Sequence, residues 1–295
     1  MTYLRARPLR VLIGFMAACM MFGALPGPAC AGLRNVIPSC YAAAHYRFKA
    51  RAPQHLLYIL IDQTVKLNPK LERSVVNTIN GLIRPGVKIV VAEFSAFSQG
   101  RYLRVVKTGI VENTMTKHEQ NNVPVSSLNT FDNCMRDQTE YARMLFDKAA
   151  MGVMKNSTSS LDQSDILLAL KTVSKPIRLT AASNKLLFMV SDGLENSSVT
   201  SFYGDGTVRR INPDAEMRKV VAHRLLGNFG GARVYVLGGA LMPATASGSL
   251  AVRNGYRDPQ VLEALKGFWR KYFAKSDANL IEFGEPALVM RARWH

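Results

Sequence analysis

The sequence predicts an α/β fold: a doubly wound, mostly parallel six-stranded sheet with one antiparallel edge strand and helices on both faces. Three observations predict it. Short hydrophobic runs, of a length that suits strands buried on both faces, alternate with helical patterns. Proline follows Asn68, Asn212 and Asp258, and such pairs open helices. A tight link at 98–100 joins two strands as an antiparallel hairpin.

The strands are predicted from hydrophobic runs bounded by polar turns. The first lies in HLLYILID and the fourth in KLLFMVSDG, and the hairpin contributes the second and third. The six predicted strands lie at about 56–61, 88–95, 101–111, 186–191, 232–239 and 278–284.

The helices are predicted from apolar side chains at helical spacing. The first begins after Asn68 and ends before Pro85, and an interior helix starts at Ser164, a good capping residue. The broad apolar stripe of the last helix is typical of a helix packed on a sheet. The predicted helices cover about 69–84, 137–150, 164–173, 213–226 and the residues from 259 onward.

Residues 1–31 are predicted to be a secretory signal peptide. Three arginines precede an apolar run at 11–25, and Ala29 and Ala31 frame a cleavage signal. The alternative is a membrane anchor that is never cut, but the run is shorter than the ~20 residues that a spanning helix needs. We therefore expect an exported protein, periplasmic or secreted, without a spanning segment after signal cleavage.

Residues 32–295 are predicted to form a single domain with an N-terminal arm (32–54) and a polar loop insertion (112–136). After signal cleavage only Cys40 and Cys134 remain. An oxidising compartment favours one disulfide between them, which would tie the arm to the insertion. The alternative is two separate buried thiols.

The charge balance is strongly basic. The formal net charge is +17, and the predicted signal peptide holds three arginines and no acid. The net charge of the remaining chain is therefore about +14. This balance favours acidic partners such as an anionic surface, nucleic acid or an acidic protein. The cations are scattered and are not interleaved with aromatic residues, so no nucleic-acid pattern stands out.

Two aspartates end predicted strands: Asp62 ends the first and Asp192 ends the fourth. Ligands of parallel α/β sheets bind beyond the carboxyl ends of the strands. Two carboxylates there, with hydroxyls nearby, indicate a site for a hard cation. The alternative for either residue alone is capping of the following turn.

Three segments of the chain follow one another at the predicted site: DQTVK at 62–66, SDILLAL at 164–170 and SDGLEN at 191–196. In this order they are similar to the Asp-x-Ser-x-Ser motif, the threonine segment and the second aspartate of the von Willebrand factor A (vWA) domain. The chain resembles that family over about residues 55–284. Only about ten residues follow Gly284, where the family usually adds a last helix.

The resemblance implies a metal-ion-dependent adhesion site that binds Mg²⁺ or a similar divalent cation and is completed by a partner's carboxylate. Its metal ligands here would be Asp62, Thr64, Ser164 and Asp192. The site is degenerate, because Lys66 stands where the family has serine, and an ammonium group cannot ligate a cation. Two alternatives stay open: a cation binds, or Lys66 takes over its charge.

The predicted function is an exported, non-enzymatic binding module that recognises a protein partner at the carboxyl ends of the strands. A first alternative is a basic envelope protein that binds anionic surfaces or nucleic acid as an accessory of secretion or DNA transfer. A second is a metal-assisted hydrolase, for which Glu195 is the one general base nearby. The sequence contains no phosphate-binding glycine loop, Gly-x-Ser-x-Gly, His-Glu-x-x-His or Cys-x-x-Cys motif.

Overall fold

The computed structural model describes residues 34–43, 50–95, 103–158, 163–204, 207–241 and 258–294. The predicted signal peptide and the predicted hairpin turn lie outside the described residues.

The predicted fold class is confirmed. Its main sheet has six strands in the order β3-β2-β1-β4-β7-β8, and β5 and β6 form a separate two-stranded hairpin. Within the main sheet the edge strand β3 is antiparallel to β2, and the other neighbours are parallel. The strands are β1 (His55–Asp62), β2 (Val87–Phe94), β3 (Leu103–Val111), β4 (Asn184–Val190), β5 (Tyr203–Gly204), β6 (Thr207–Val208), β7 (Ala232–Leu237) and β8 (Ala278–Phe283).

Three of the helices begin as the sequence predicts. The side chains of Asn68, Asn212 and Asp258 each accept a hydrogen bond from a backbone amide of the first turn that follows. Within the described residues no helix is long and apolar enough to cross a membrane. The helices are α1 (Cys40–Ala43), α2 (Pro69–Leu82), α3 (Lys117–Asn121), α4 (Val125–Lys155), α5 (Ile166–Leu179), α6 (Pro213–Ala222) and α7 (Pro259–Lys275).

Two hydrophobic cores lie on opposite faces of the sheet. Successive side chains of a strand point to opposite faces, so Leu56, Tyr58 and Leu60 join one core while Leu57 and Ile59 join the other. The first core is closed by α5, α6 and α7, and the second by α2 and α4. Both faces of β1 are therefore buried, and its carboxyl end lies between the two layers.

The predicted loop insertion at 112–136 is wrong. Most of this segment is helical: α3 is followed by α4, which begins at Val125 instead of near 137. Pro124 suggested a loop, but proline is compatible with the start of a helix and here precedes one. Phe131 and Met135 are buried along the early part of α4.

The disulfide between Cys40 and Cys134 is present, with 5.8 Å between the Cα atoms. Cys134 lies on α4, so the bond ties the N-terminal arm to a helix and not to a loop. Tyr41 and Phe131 pack edge to face beside it in a small satellite core. The buried Glu112 carboxylate accepts the Cys40 amide at 2.7 Å and thereby fixes the start of α1.

Candidate functional site

Asp62 is the centre of a buried polar cluster at the carboxyl end of β1. Its side chain is 0% exposed. One carboxylate oxygen accepts the Thr64 amide at 2.9 Å and the Thr64 hydroxyl at 2.7 Å. The other accepts the Ser191 hydroxyl at 2.8 Å and the Ser164 hydroxyl at 3.2 Å. Three separate segments of the chain therefore converge on one carboxylate.

Ser164 is not the helix cap that the sequence predicts, but its hydroxyl lies at the predicted site. The sequence indicates a capping residue, but α5 begins at Ile166 and its flanking residue is Asp165. The Ser164 backbone instead exchanges hydrogen bonds with Asn196, at 3.0 and 3.1 Å. This pairing leaves the Ser164 hydroxyl pointing at Asp62, which is the position that the vWA resemblance implies.

Ser191 belongs to the cluster but was not predicted as a site residue. It accepts the Gly193 amide at 3.0 Å while it donates to Asp62. Its place follows from the register, because β4 lies beside β1 with Val190 opposite Ile61. The serine directly before Asp192 was the only signal in the sequence.

Asp192 follows β4 and is 5% exposed. One of its carboxylate oxygens accepts the Leu194 amide at 2.9 Å, and the other accepts the Tyr203 hydroxyl at 3.2 Å. Tyr203 lies on β5, in a short hairpin that the sequence analysis did not predict. One oxygen of Asp192 therefore caps the following turn, as the capping alternative predicts. The other oxygen accepts a hydrogen bond from Tyr203, outside that turn.

The turn after Asp192 is fixed by packing. Gly193 has a φ of +70°, and a Cβ there would lie 2.9 Å from Nε1 of Trp269. The same indole nitrogen donates to the Gly193 carbonyl at 2.9 Å. Gly193 is therefore required both by its left-handed conformation and by the close approach of Trp269.

Lys66 does not contact the two aspartates. Its side chain is exposed. In the part of the chain that the structure describes, the ion pairs do not include one between Lys66 and either carboxylate. The arrangement thus offers no support for the alternative in which Lys66 replaces the charge of a cation.

Asp62 and Asp192 are buried carboxyl groups without a cationic partner among the described residues. Burial raises the pKa of Asp62, and the hydrogen bonds from Thr64, Ser191 and Ser164 offset only part of that rise. Burial also raises the pKa of Asp192 well above its usual range, and the neighbouring charge of Asp62 raises it further. A positive charge near these groups would lower this cost.

Glu195 is buried and follows Asp192 closely in the sequence, but its carboxylate caps helix α5. Its carboxylate accepts the Leu167 amide of α5 at 3.0 Å. Burial raises the pKa of Glu195 to about 8. The group therefore caps the first turn of α5 and is enclosed by protein.

The cluster offers oxygen donors only, which are the ligands that hard cations such as Mg²⁺ prefer. Asp62, Thr64, Ser164 and Asp192 supply two carboxylates and two hydroxyls. Hydroxyl groups can turn their lone pairs toward a cation and keep their protons. Among the described residues, however, no three His, Cys, Asp or Glu side chains are grouped as a metal site.

No known family model matches the sequence, and no curated protein resembles it significantly. Among solved structures, the pilus adhesin SpaC from Lactobacillus rhamnosus GG matches 76% of this chain with 10% identity and a TM-score of 0.34. The match spans only 30% of the adhesin. The N-terminal domain of TFIIH p34 matches 73% of this chain, over 96% of its own length, with 13% identity and a TM-score of 0.26.

Fold and site together define a doubly wound α/β domain with a buried hydroxyl and carboxylate cluster at the carboxyl edge of its sheet.

Proposed function

We propose that the protein is an exported, non-enzymatic vWA-like binding module that recognises a protein partner at the carboxyl ends of its sheet strands. The observation that best supports this proposal is that the hydroxyl groups of Thr64, Ser164 and Ser191 all donate to the Asp62 carboxylate. Asp192 lies beside that carboxylate. Turn capping alone requires neither a hydroxyl from Ser164, which lies before α5, nor two neighbouring buried carboxylates. Export through the predicted signal peptide at residues 1–31 is part of the proposal.

A divalent cation, Mg²⁺ or a similar ion, completes the proposed site. Asp62, Thr64, Ser164 and Asp192 are the residues that would hold it. When bound, the cation would supply positive charge and an open position for a partner's carboxylate. The chain's own part is to hold the two carboxylates together and to keep three hydroxyl groups directed at Asp62.

The position of Glu195 favours binding over hydrolysis. A general base must reach the proton that it removes. Glu195 is 1% exposed and its carboxylate is hydrogen-bonded to the Leu167 amide. It is therefore placed to stabilise α5 and not to activate a water molecule.

The test is capture of a partner from the envelope and medium fractions of the source cells, with Mg²⁺ or with a chelator. We expect that a protein retained by the wild type is lost with Asp62→Asn, with Asp192→Asn and with the chelator. Asp132→Asn is the matched control, because Asp132 is exposed on α4 and carries the same charge. Circular dichroism checks that each variant is folded. Capture that survives both site substitutions would contradict the proposed function.

A further inference from the structure

A cleft of about 620 Å³ lies between α2 and the C-terminal segment 287–291. Lys70 and Arg73 of α2 line one wall, and Arg291 lines the other. Leu71 and Leu288 contribute apolar surface to it. The cleft is separate from the aspartate cluster, since none of the cluster's residues lines it.

The charges of this cleft are unbalanced. Its lining includes three cations and no acid. Within the described residues, none of the ion pairs involves Lys70, Arg73 or Arg291. Arg291 is held against the helix, since a Cβ at Gly81 would lie 3.5 Å from its guanidinium nitrogen. The Arg291 guanidinium therefore lies against α2, and the three cations have no ion-pair partner among the described residues.

A neighbouring cleft on the other side of the same segment provides a contrast. It has a volume of about 450 Å³ and is lined by Lys266 and Arg270, but also by Glu282 and Glu285. Lys266 lies 3.5 Å from Glu285. Its cations and acids are equal in number. Of these two clefts, the one between α2 and segment 287–291, called the α2 cleft below, therefore favours an acidic ligand.

The shared ridge between the two clefts is apolar and exposed. Val289 is 94% exposed and Met290 is 53% exposed. No aromatic side chain lines the α2 cleft. Single-stranded nucleic acids bind through aromatic stacking as well as charge, so the lining favours aliphatic side chains over bases.

We propose that the α2 cleft binds an extended acidic segment of a partner protein. Its carboxylates pair with Lys70, Arg73 and Arg291, and an aliphatic side chain packs on Val289 and Met290. Charge complementarity favours this occupant over a second copy of the chain, because the chain is itself basic. This inference does not depend on the aspartate cluster, and Asp62→Asn leaves the interaction unchanged.

The test is fluorescence anisotropy of the purified protein with a labelled dodecapeptide that repeats Asp-Leu-Glu-Ser. The comparison peptide repeats Asn-Leu-Gln-Ser. We expect binding of the acidic peptide that weakens with added salt. Lys70→Glu with Arg73→Glu raises the Kd about tenfold or more, since two attractions become repulsions. Val289→Ser raises it by about threefold, because only apolar contact is lost.

The matched control is Lys175→Glu with Arg178→Glu. These residues are also a lysine and an arginine three positions apart and exposed, but they lie on α5, across the sheet. We expect less than about a threefold change in Kd for this pair. An equal loss in both pairs would show that net charge and not the cleft governs binding. No binding at low salt, or tighter binding of oligothymidylate or phosphatidylglycerol vesicles that the α2 substitutions abolish, would also overturn the proposal.

Discussion

The buried carboxylates of Asp62 and Asp192 differ from the buried carboxylate of Glu216 in how the chain compensates their charge. Asp62 and Asp192 receive hydrogen bonds from hydroxyls and amides, without an ion pair in the described part of the chain. Glu216 of α6 is 2% exposed and pairs with Arg209 at 2.7 Å and with Lys219 at 3.0 Å. The two aspartates therefore have no cationic partner among the described residues, whereas Glu216 has two.

The pKa values follow this difference. Burial alone would raise the pKa of Glu216, yet hydrogen bonds from Arg209, Thr200 and Lys219 hold it below its ordinary value. Burial raises the pKa of both aspartates. A buried carboxylate that is paired with cations of its own chain is explained by the fold alone. Uncompensated acids in a cleft or at a strand end are candidates for function.

The ion pairs of Glu216 also help to hold the hairpin that contacts Asp192. Arg209 donates to the Ser201 carbonyl at 3.0 Å, and its amide donates to the Phe202 carbonyl at 2.8 Å. These bonds anchor the hairpin that carries Tyr203, whose hydroxyl holds Asp192. The ion pairs around Glu216 thus position a hydrogen-bond donor of the candidate site.

The largest expected effect is on the pH dependence of stability. Burial raises the pKa of Glu195 from 4.5 to about 8, so the folded chain holds this proton longer than the unfolded chain. The free energy of unfolding therefore falls as pH rises through that window, by up to about 1.4 kcal/mol per pH unit for this group. Asp62 and Asp192 act in the same direction.

Urea unfolding between pH 5 and pH 9 measures this slope. Glu195→Gln removes the part due to Glu195, while the control Glu263→Gln, on the exposed side of α7, leaves the slope unchanged. A free energy of unfolding that is flat or rises over this range would mean that the buried acids are compensated after all.

Replacing a buried carboxylate by its neutral amide is expected to have a smaller effect on the free energy of unfolding. The effect has opposite signs for Glu216 and Asp192. Glu216→Gln lowers the free energy of unfolding at pH 8 by about 2 kcal/mol, because Arg209 and Lys219 lose their charged partner. Asp192→Asn raises it by about 1 kcal/mol, because an uncompensated buried charge is removed. Chemical denaturation of both variants at pH 8 measures the two shifts. Changes of the same sign would remove the distinction on which the site assignment depends.

Most of the fold could be predicted from the sequence because its signals are local. Hydrophobic runs mark the strands, and Asn68, Asn212 and Asp258 mark helix starts. The start of α4 at Val125 was missed because the polar residues of 112–136 and Pro124 favoured a loop. The burial of Phe131 and Met135 against the N-terminal arm depends on tertiary packing, which one sequence does not display.

The candidate site could be predicted only in part. Asp62, Thr64 and Ser164 come together as the vWA resemblance implies. Ser191 and Tyr203 were missed because their contacts depend on the β1–β4 register and on a hairpin with two residues in each strand. Lys66 was placed beside the aspartates by its position in the motif, but its side chain is exposed.

The central claim is that a divalent cation supplies the positive charge that the Asp62 and Asp192 carboxylates lack. The most direct measurement is isothermal titration of the purified protein with Mg²⁺ and Mn²⁺ at pH 8, alongside Lys66→Ser and Asp62→Asn. The account predicts binding by the wild type and by Lys66→Ser, and none by Asp62→Asn. Binding by Lys66→Ser alone would show that the lysine excludes the ion, and no binding by any of the three would contradict the cation site itself.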